Sequence, residues 1–371
     1  MAREAVSRLE TAAGEAGSLA LARLLPLAVD DDMVDPSVPA GRALELAQSL
    51  GDDVALAGAD AVLALSGPPG KREVNAVAAR GAYERAGDRV GLAWLLHAWG
   101  WWSAQFGRFS DATALVQEAF VLYDALADGS GLADVHDSLA RVALLRGDRD
   151  GALEHVRIAR ELWAARGTAL RDVGTYATEA WAALLSDDQE AAAERIEAFT
   201  ERAARIIDPV RLTLALKIGY HHRFGPPDLV LACGTRLLAA LSTAELASAL
   251  GVRTTLVVSA AHATLGATEE ALPPLAEALR LTRALHAPRF VAHVAFAAAS
   301  LAGARGEAET SRRLALMALH HPALEHALRH DARALVSEPS ASLDVAPATL
   351  PDDDALLAGV EGLLTAWQRR R

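Results

Sequence analysis

The sequence predicts an all-α fold of tandem helix pairs with a period of about 40 residues, on three observations. Ala, Leu and Arg dominate and aromatic residues are 5% of the chain, while Val/Ile/Thr runs between turn pairs are nearly absent, so there is little material for a sheet. Helical patterns break at Gly67, Gly107, Gly147, Asp187, Gly266 and Gly306, spaced by 40, 40, 40, 79 and 40 residues. Small residues recur at fixed offsets from those breaks, as close packing between stacked helices requires.

Five residues after each break stand Ala112, Ala152, Ala192, Ala232, Ala271 and Ser311, and twelve after stand Ala119, Ala159, Phe199, Ala239, Ala278 and Ala318. Seven before come Gly100, Ala140, Ala180, Ser259 and Ala299, with Asp60 and Tyr220 as exceptions. The break missing from the lattice falls near Pro227, where Gly225-Pro226-Pro227 supplies the turn.

Each unit reads as helix A, a short turn and helix B: 52–66 with 71–86, 88–106 with 109–126, 128–146 with 149–165, 168–186 with 189–206, 208–224 with 228–241, 245–265 with 267–285, and 288–305 with 308–320. A first pair, 2–28 with 37–50, carries the insert Asp30–Pro36 in its turn. The array is expected over residues 1–336, followed by a Pro- and Ser-rich linker over 337–352 and a capping helix within 353–371. That helix places Leu356, Leu357, Val360, Leu363, Leu364 and Trp367 on one face. A lone pair cannot cover its apolar face, so about eight pairs must stack.

A net charge of −12 repels phosphate backbones, so no direct nucleic-acid partner is expected. Lys71 and Lys217 are the two lysines, an arginine bias of the kind GC-rich coding produces. A single cysteine, Cys233, excludes an internal disulfide framework and fits a reducing compartment. No run reaches 18 apolar residues and the N-terminal stretch is interrupted by Arg23, so no membrane segment and a cytoplasmic location are expected.

The phrases Leu145-Arg146-Gly147-Asp148-Arg149-Asp150-Gly151-Ala152 and Gln105-Phe106-Gly107-Arg108-Phe109-Ser110-Asp111-Ala112, with the small residues in register, resemble the tetratricopeptide repeat (TPR), with longer helices than its 34-residue unit. More narrowly, the chain resembles the long-helix sensor arm of STAND-type signal-transduction ATPases and related transcription regulators, on the phrase His320-His321-Pro322-Ala323-Leu324. The resemblance implies a right-handed superhelical solenoid whose A helices line a concave groove. The ATPase itself is missing: Gly67-Pro68-Pro69-Gly70-Lys71-Arg72 lacks the spacing and the hydroxyl residue of a phosphate loop.

Residues at i, i+3 and i+7 share a helix face, so positions 13, 10 and 6 before each break give the groove strip. They include Trp94, His97 and Trp101; Asp134, Asp137 and Arg141; Trp181; Lys217 and His221; Arg253; and His293 and Phe296. Indoles, imidazoles, carboxylates and cations together resemble a recognition surface, and the first six with Trp181 are expected to form a pocket across three A helices. Packing is the alternative for the indoles, because Trp94, Trp99, Trp101 and Trp102 cannot all face one groove. A solvated ion ladder is the alternative for Asp134, Asp137 and Arg141.

The expected function is a non-catalytic binding module, a sensor or scaffold for a protein, peptide or small ligand, with room for a homo-oligomer. The competing reading is a small-molecule-binding or catalytic repeat protein using Trp94, His97, Asp137 and Arg141. No nucleophile elbow or dinucleotide fingerprint occurs, and no cofactor is expected. The cluster His320, His321, Glu325, His326 and His330 lacks a zinc-protease order and reads as solvated histidines, so no metal is expected either.

Overall fold

The computed structural model describes residues 51–66, 69–167, 172–204, 210–241, 248–336 and 351–369, with a few positions within 40–48 and Leu246. The expected first pair and most of the expected linker lie outside the described residues. Sixteen helices and no strand occur among those described. In chain order they are α1 (Asp53–Ser66), α2 (Pro69–Ala86), α3 (Arg89–Gln105), α4 (Phe109–Ala125), α5 (Gly129–Arg146), α6 (Arg149–Ala165), α7 (Val173–Leu185), α8 (Gln189–Ala203), α9 (Val210–Phe224) and α10 (Pro227–Ala240). There follow α11 (Ala249–Thr264), α12 (Leu272–Leu285), α13 (Pro288–Ala304), α14 (Ala308–His320), α15 (His326–Val336) and α16 (Asp353–Arg369). Adjacent helices pair as the repeat predicts.

Local chemistry explains where the helices start. Aspartate side chains cap successive N-termini: Asp52 accepts from Ala55 N, Asp88 from Gly91 N, Asp128 from Gly131 N, Asp148 from Gly151 N, Asp188 from Ala191 N and Asp352 from Ala355 N, all at 2.8–3.2 Å. Each satisfies an amide that has no partner within its helix and sets a negative charge at the positive end of the dipole. The breaks Gly107, Gly147, Asp187, Gly266 and Gly306 all have positive φ, so the turns use the left-handed region where the sequence placed them.

The B helices bury one stripe each. Ala112, Val116, Ala119 and Tyr123 stand 5, 9, 12 and 16 residues after Gly107, and the same offsets give Ala152, Val156, Ala159 and Trp163, then Ala192, Ile196, Phe199 and Ala203, all buried. Two small residues and two larger apolar ones in each stripe let neighbouring helices pack closely.

One unit departs from the expected lattice. Its buried stripe is Val230, Gly234, Leu237 and Leu241, at those offsets from Gly225, while Ala232 and Ala239 are exposed. The helix also begins two residues after Gly225, as α4, α6, α8 and α14 begin two residues after their breaks. The break is therefore Gly225 and not Pro227. Pro226 is extended and Pro227 sits in the first turn, so proline geometry replaces the left-handed residue and shortens the unit by two.

The helices fall into two compact units, Met1–Ser103 with Ser110–Ser138, and Ala104–Phe109 with Leu139–Arg371. In the second, α16 packs on α12 and α13. Trp367 is buried there and donates from Nε1 to Glu307 at 3.0 Å, and His321 Nε2 bonds Asp353 at 2.9 Å. The latter corrects the reading of all the C-terminal histidines as solvated, because the turn before α15 folds His321 inward while His326 and His330 stay exposed. Cys233 packs at the edge of the core around Leu237, as its register requires.

Candidate functional site

Most of the polar and aromatic side chains of the strip on the A helices are half-buried. In the first unit Trp94, His97, Trp101 and Asp134 are half-buried, and Asp137 is 9% exposed. His97 Nε2 and Ser138 Oγ form a hydrogen bond of 2.7 Å, which ties α3 to α5 beside the strip. Off the strip, Trp102 receives the guanidinium of Arg72, 5.5 Å from its ring centroid. The Arg72 guanidinium is held below its ordinary value by burial.

The second unit holds Arg141, Trp181, Lys217, His221, Arg253, His293 and Phe296. The expected pocket of seven residues thus draws on both units. With the break at Gly225, the strip positions of α9 become Leu212, Ala215 and Gly219. Lys217, exposed, and His221, half-buried, stand two residues out of register. Glycine at the last of these positions has a structural consequence. A Cβ on Gly219 would come within 2.6 Å of Trp181 Cη2 and 2.7 Å of Cζ3, so the bare backbone of α9 makes room for the indole of α7. Arg253, reaching from α11, then lies 4.9 Å from the centroid of that indole. Residues two repeats apart meet because the helix between them carries no side chain there.

Beside this pair lies a buried charge cluster. Arg289, 2% exposed, donates from Nη2 to Glu325, and His293 Nε2 is 3.5 Å from the other carboxylate oxygen of Glu325. The His293 ring packs edge-on against Phe290, 5.7 Å between centroids. Burial pushes His293 down to about 4, against the pull of Glu325, so the imidazole is neutral at physiological pH. Burial works to raise Glu325, but the guanidinium groups of Arg289 and Arg253 outweigh it and hold the carboxyl at about 2. Burial also holds Arg253 below its ordinary value, partly offset by Glu325.

The cluster fixes a distant turn. Arg289 N donates to Phe106 O at 3.2 Å, Arg289 Nη1 donates to Gln105 O at 3.3 Å, and Phe106 meets Phe290 edge-on at 6.2 Å. Gly107 has φ +87°, and a Cβ on it would lie 2.8 Å from both Ala323 Cβ and Arg289 Cβ, so the turn requires glycine twice over.

Arg289 and Glu325 were not among the residues read from the sequence as a site. One signal was available: a guanidinium at the start of the apolar run Pro288-Arg289-Phe290-Val291-Ala292 stands at the positive end of a helix dipole, where a cation is disfavoured without a special partner. Glu325 had been grouped with solvated histidines, and the structure buries it instead.

No helix among the described residues is long and apolar enough to cross a membrane, and no group of three or more His, Cys, Asp or Glu side chains among them is placed to hold a metal ion. No family model matches the sequence, and no curated protein matches it. Among solved structures, the chain is similar to a Rap protein complexed with Competence and Sporulation Factor, at 12% identity and TM-score 0.58, covering 95% of this chain and 99% of that one. It also aligns with BtubC (BKLC) from P. vanneervenii, at 17% identity over 67% of this chain and 91% of that one, TM-score 0.36. A third alignment is with a STAND protein with a tetratricopeptide repeat sensor from Pyrococcus horikoshii, at 13% identity over 96% of this chain and 53% of that one, TM-score 0.44. The last two TM-scores carry no argument, and at 12% identity the first speaks for the fold alone. The chain is an all-α, TPR-like helical-repeat array.

Proposed function

We propose that this chain is a non-catalytic binding module, a sensor or scaffold of the kind found in signalling regulators, whose A-helix strip receives a protein or peptide partner. The observation that carries the reading is the strip itself: Trp94, His97, Trp101, Asp134, Arg141, Trp181, Arg253 and Phe296 are half-buried side chains of binding-surface type, recurring where neighbouring registers hold alanine. The Rap protein of the same fold was solved with a bound factor, which supports a partner of comparable kind here. On this reading α16 caps the end of the array, since it lays a buried Leu356/Val360/Leu364/Trp367 face on α12 and α13.

Panning a random peptide library on the wild-type chain, with Trp101→Ala and Phe296→Ala as counter-targets, tests the proposal. Wild type should enrich sequences that bind at least one variant tenfold more weakly. Failure to enrich any sequence, or equal binding by wild type and both variants, would overturn it.

A further inference from the structure

The cluster around Glu325 in the second unit holds more positive charge than its one carboxylate neutralises. Among Arg253, Arg289, Glu325 and His293, two guanidinium groups face one carboxylate, and the imidazole is neutral. Glu325 is committed to Arg289. Arg253 makes neither a hydrogen bond nor an ion pair among the described residues; it is half-buried and lies over the face of Trp181. In the same cluster, Arg289 Nε and His293 Nε2 are buried without a hydrogen-bond partner among the described residues, on side chains 2% and 3% exposed. A guanidinium held half-buried against an indole, with no acceptor among the described residues, marks a position open to an anion.

We propose that Arg253 is the anchor of a carboxylate subsite, taking the planar anion on its outward N–H edge while the Trp181 indole covers its face. The inference rests on the strip being the ligand face. A carboxylate fits better than a phosphate for two reasons. One surplus positive charge matches a monoanion, and the guanidinium fork matches two coplanar oxygens. The Glu325 carboxylate behind the site, meanwhile, repels a dianion more strongly. The arrangement depends on Gly219, which seats the indole, and on Glu325, which is engaged by Arg289. In a polypeptide ligand the carboxylate is either the chain terminus or an acidic side chain.

The test is an NMR titration of the indole N–H region of the full chain, with the Trp181 peak identified by Trp181→Phe. The probes are acetate, acetamide and inorganic phosphate at constant ionic strength. Acetate should shift the Trp181 peak saturably, at least tenfold more tightly than acetamide and more tightly than phosphate, and Arg253→Met should weaken acetate at least tenfold. Arg253→Lys, which keeps the charge and loses the fork, serves where the methionine variant fails to fold, and should weaken acetate at least threefold.

N-acetyl-tetraalanine with a free C-terminus and the amidated N-acetyl-Ala-Ala-Ala-Glu then separate the two sources of the carboxylate, and both should bind in an Arg253-dependent way or one should. An unmoved Trp181 peak, equal titration of wild type and variant, or tighter phosphate binding would overturn the subsite. Peptides enriched by panning whose affinity ignores Arg253 would sink the subsite and leave the groove. Acetate binding with no peptide enriched would do the reverse.

Discussion

Helix α3 and the α7–α11 face make opposite use of the same side chains. In α3 four indoles crowd nine residues, and the polar groups beside them find partners at hand: His97 on Ser138, Arg72 on Trp102. On the α7–α11 face a single indole, Trp181, lies under a guanidinium that has no acceptor among the described residues, next to a buried pair built from Arg289 and Glu325. The comparison teaches that conspicuous composition and unspent binding capacity are different properties. Local sequence advertises the first. The second arises from which residues the stacking brings together and which charges remain uncompensated once it has.

The strongest way to break the contrast is to remove the anion the second unit already contains. Glu325→Gln leaves Arg289 buried without a countercharge, which should cost about 3 kcal/mol of stability in that unit, read as a lowered denaturation midpoint at unchanged slope. A change below ~1 kcal/mol would mean the pair is solvated. Gly107→Ala comes next, since it meets both a left-handed backbone and two β-carbons at 2.8 Å. It should cost about 2 kcal/mol by the same measurement and loosen hydrogen exchange at Phe290, whose ring packs on Phe106.

The two units should also answer acid in opposite directions. Asp60 in the first unit is pushed up to about 6 by burial, so the folded state binds a proton more readily than the unfolded state between roughly pH 6 and pH 4. Its burden is present at neutral pH and is relieved as pH falls through that window. His293 in the second unit is pushed down to about 4, so the unfolded state binds the proton first, and stability falls as pH drops from about 6.5 to 4. His155 and His221, also lowered by burial, act in the same sense. Glu325 contributes fully above its ordinary value near 4.5 and loses its contribution only on descending toward about 2. Hydrogen exchange at pH 7 and pH 5 should therefore show α1 gaining protection and α13 losing it; parallel change in both would contradict the assignment.

The smallest expected effect is that of Asp60→Asn. It should stabilise the first unit by about 1 kcal/mol at pH 7, after discounting a full two-unit shift for partial exposure, with the gain gone by about pH 4.

The repeat was legible because its signals are local. Turn glycines and alanine stripes each depend on a few neighbouring residues, and they recur often enough to reinforce one another. The same lattice misplaced one unit: at Pro226-Pro227 proline did the turning, and nothing nearby showed that the count had lost two residues. That slip carried Lys217 and His221 out of the strip and hid Gly219, the position that lets Trp181 and Arg253 meet. Individual members of the strip, Trp181, Arg253 and His293, were legible from register. Their joining was not, because Arg289 and Glu325 reach it from elements whose partners lie far along the chain; Arg289 bonds Gln105 across 184 residues. Asp60 was visible as an exception among small residues, and burial accounts for its raised value.

The central claim, that the A-helix strip is the ligand face, is tested most directly by hydrogen–deuterium exchange on the chain saturated with its best panned peptide. Protection should rise on the strip-bearing helices α3, α5, α7, α11 and α13 and stay unchanged on α4, α6, α8 and α14. Protection confined to those B helices or to α16 would contradict the account.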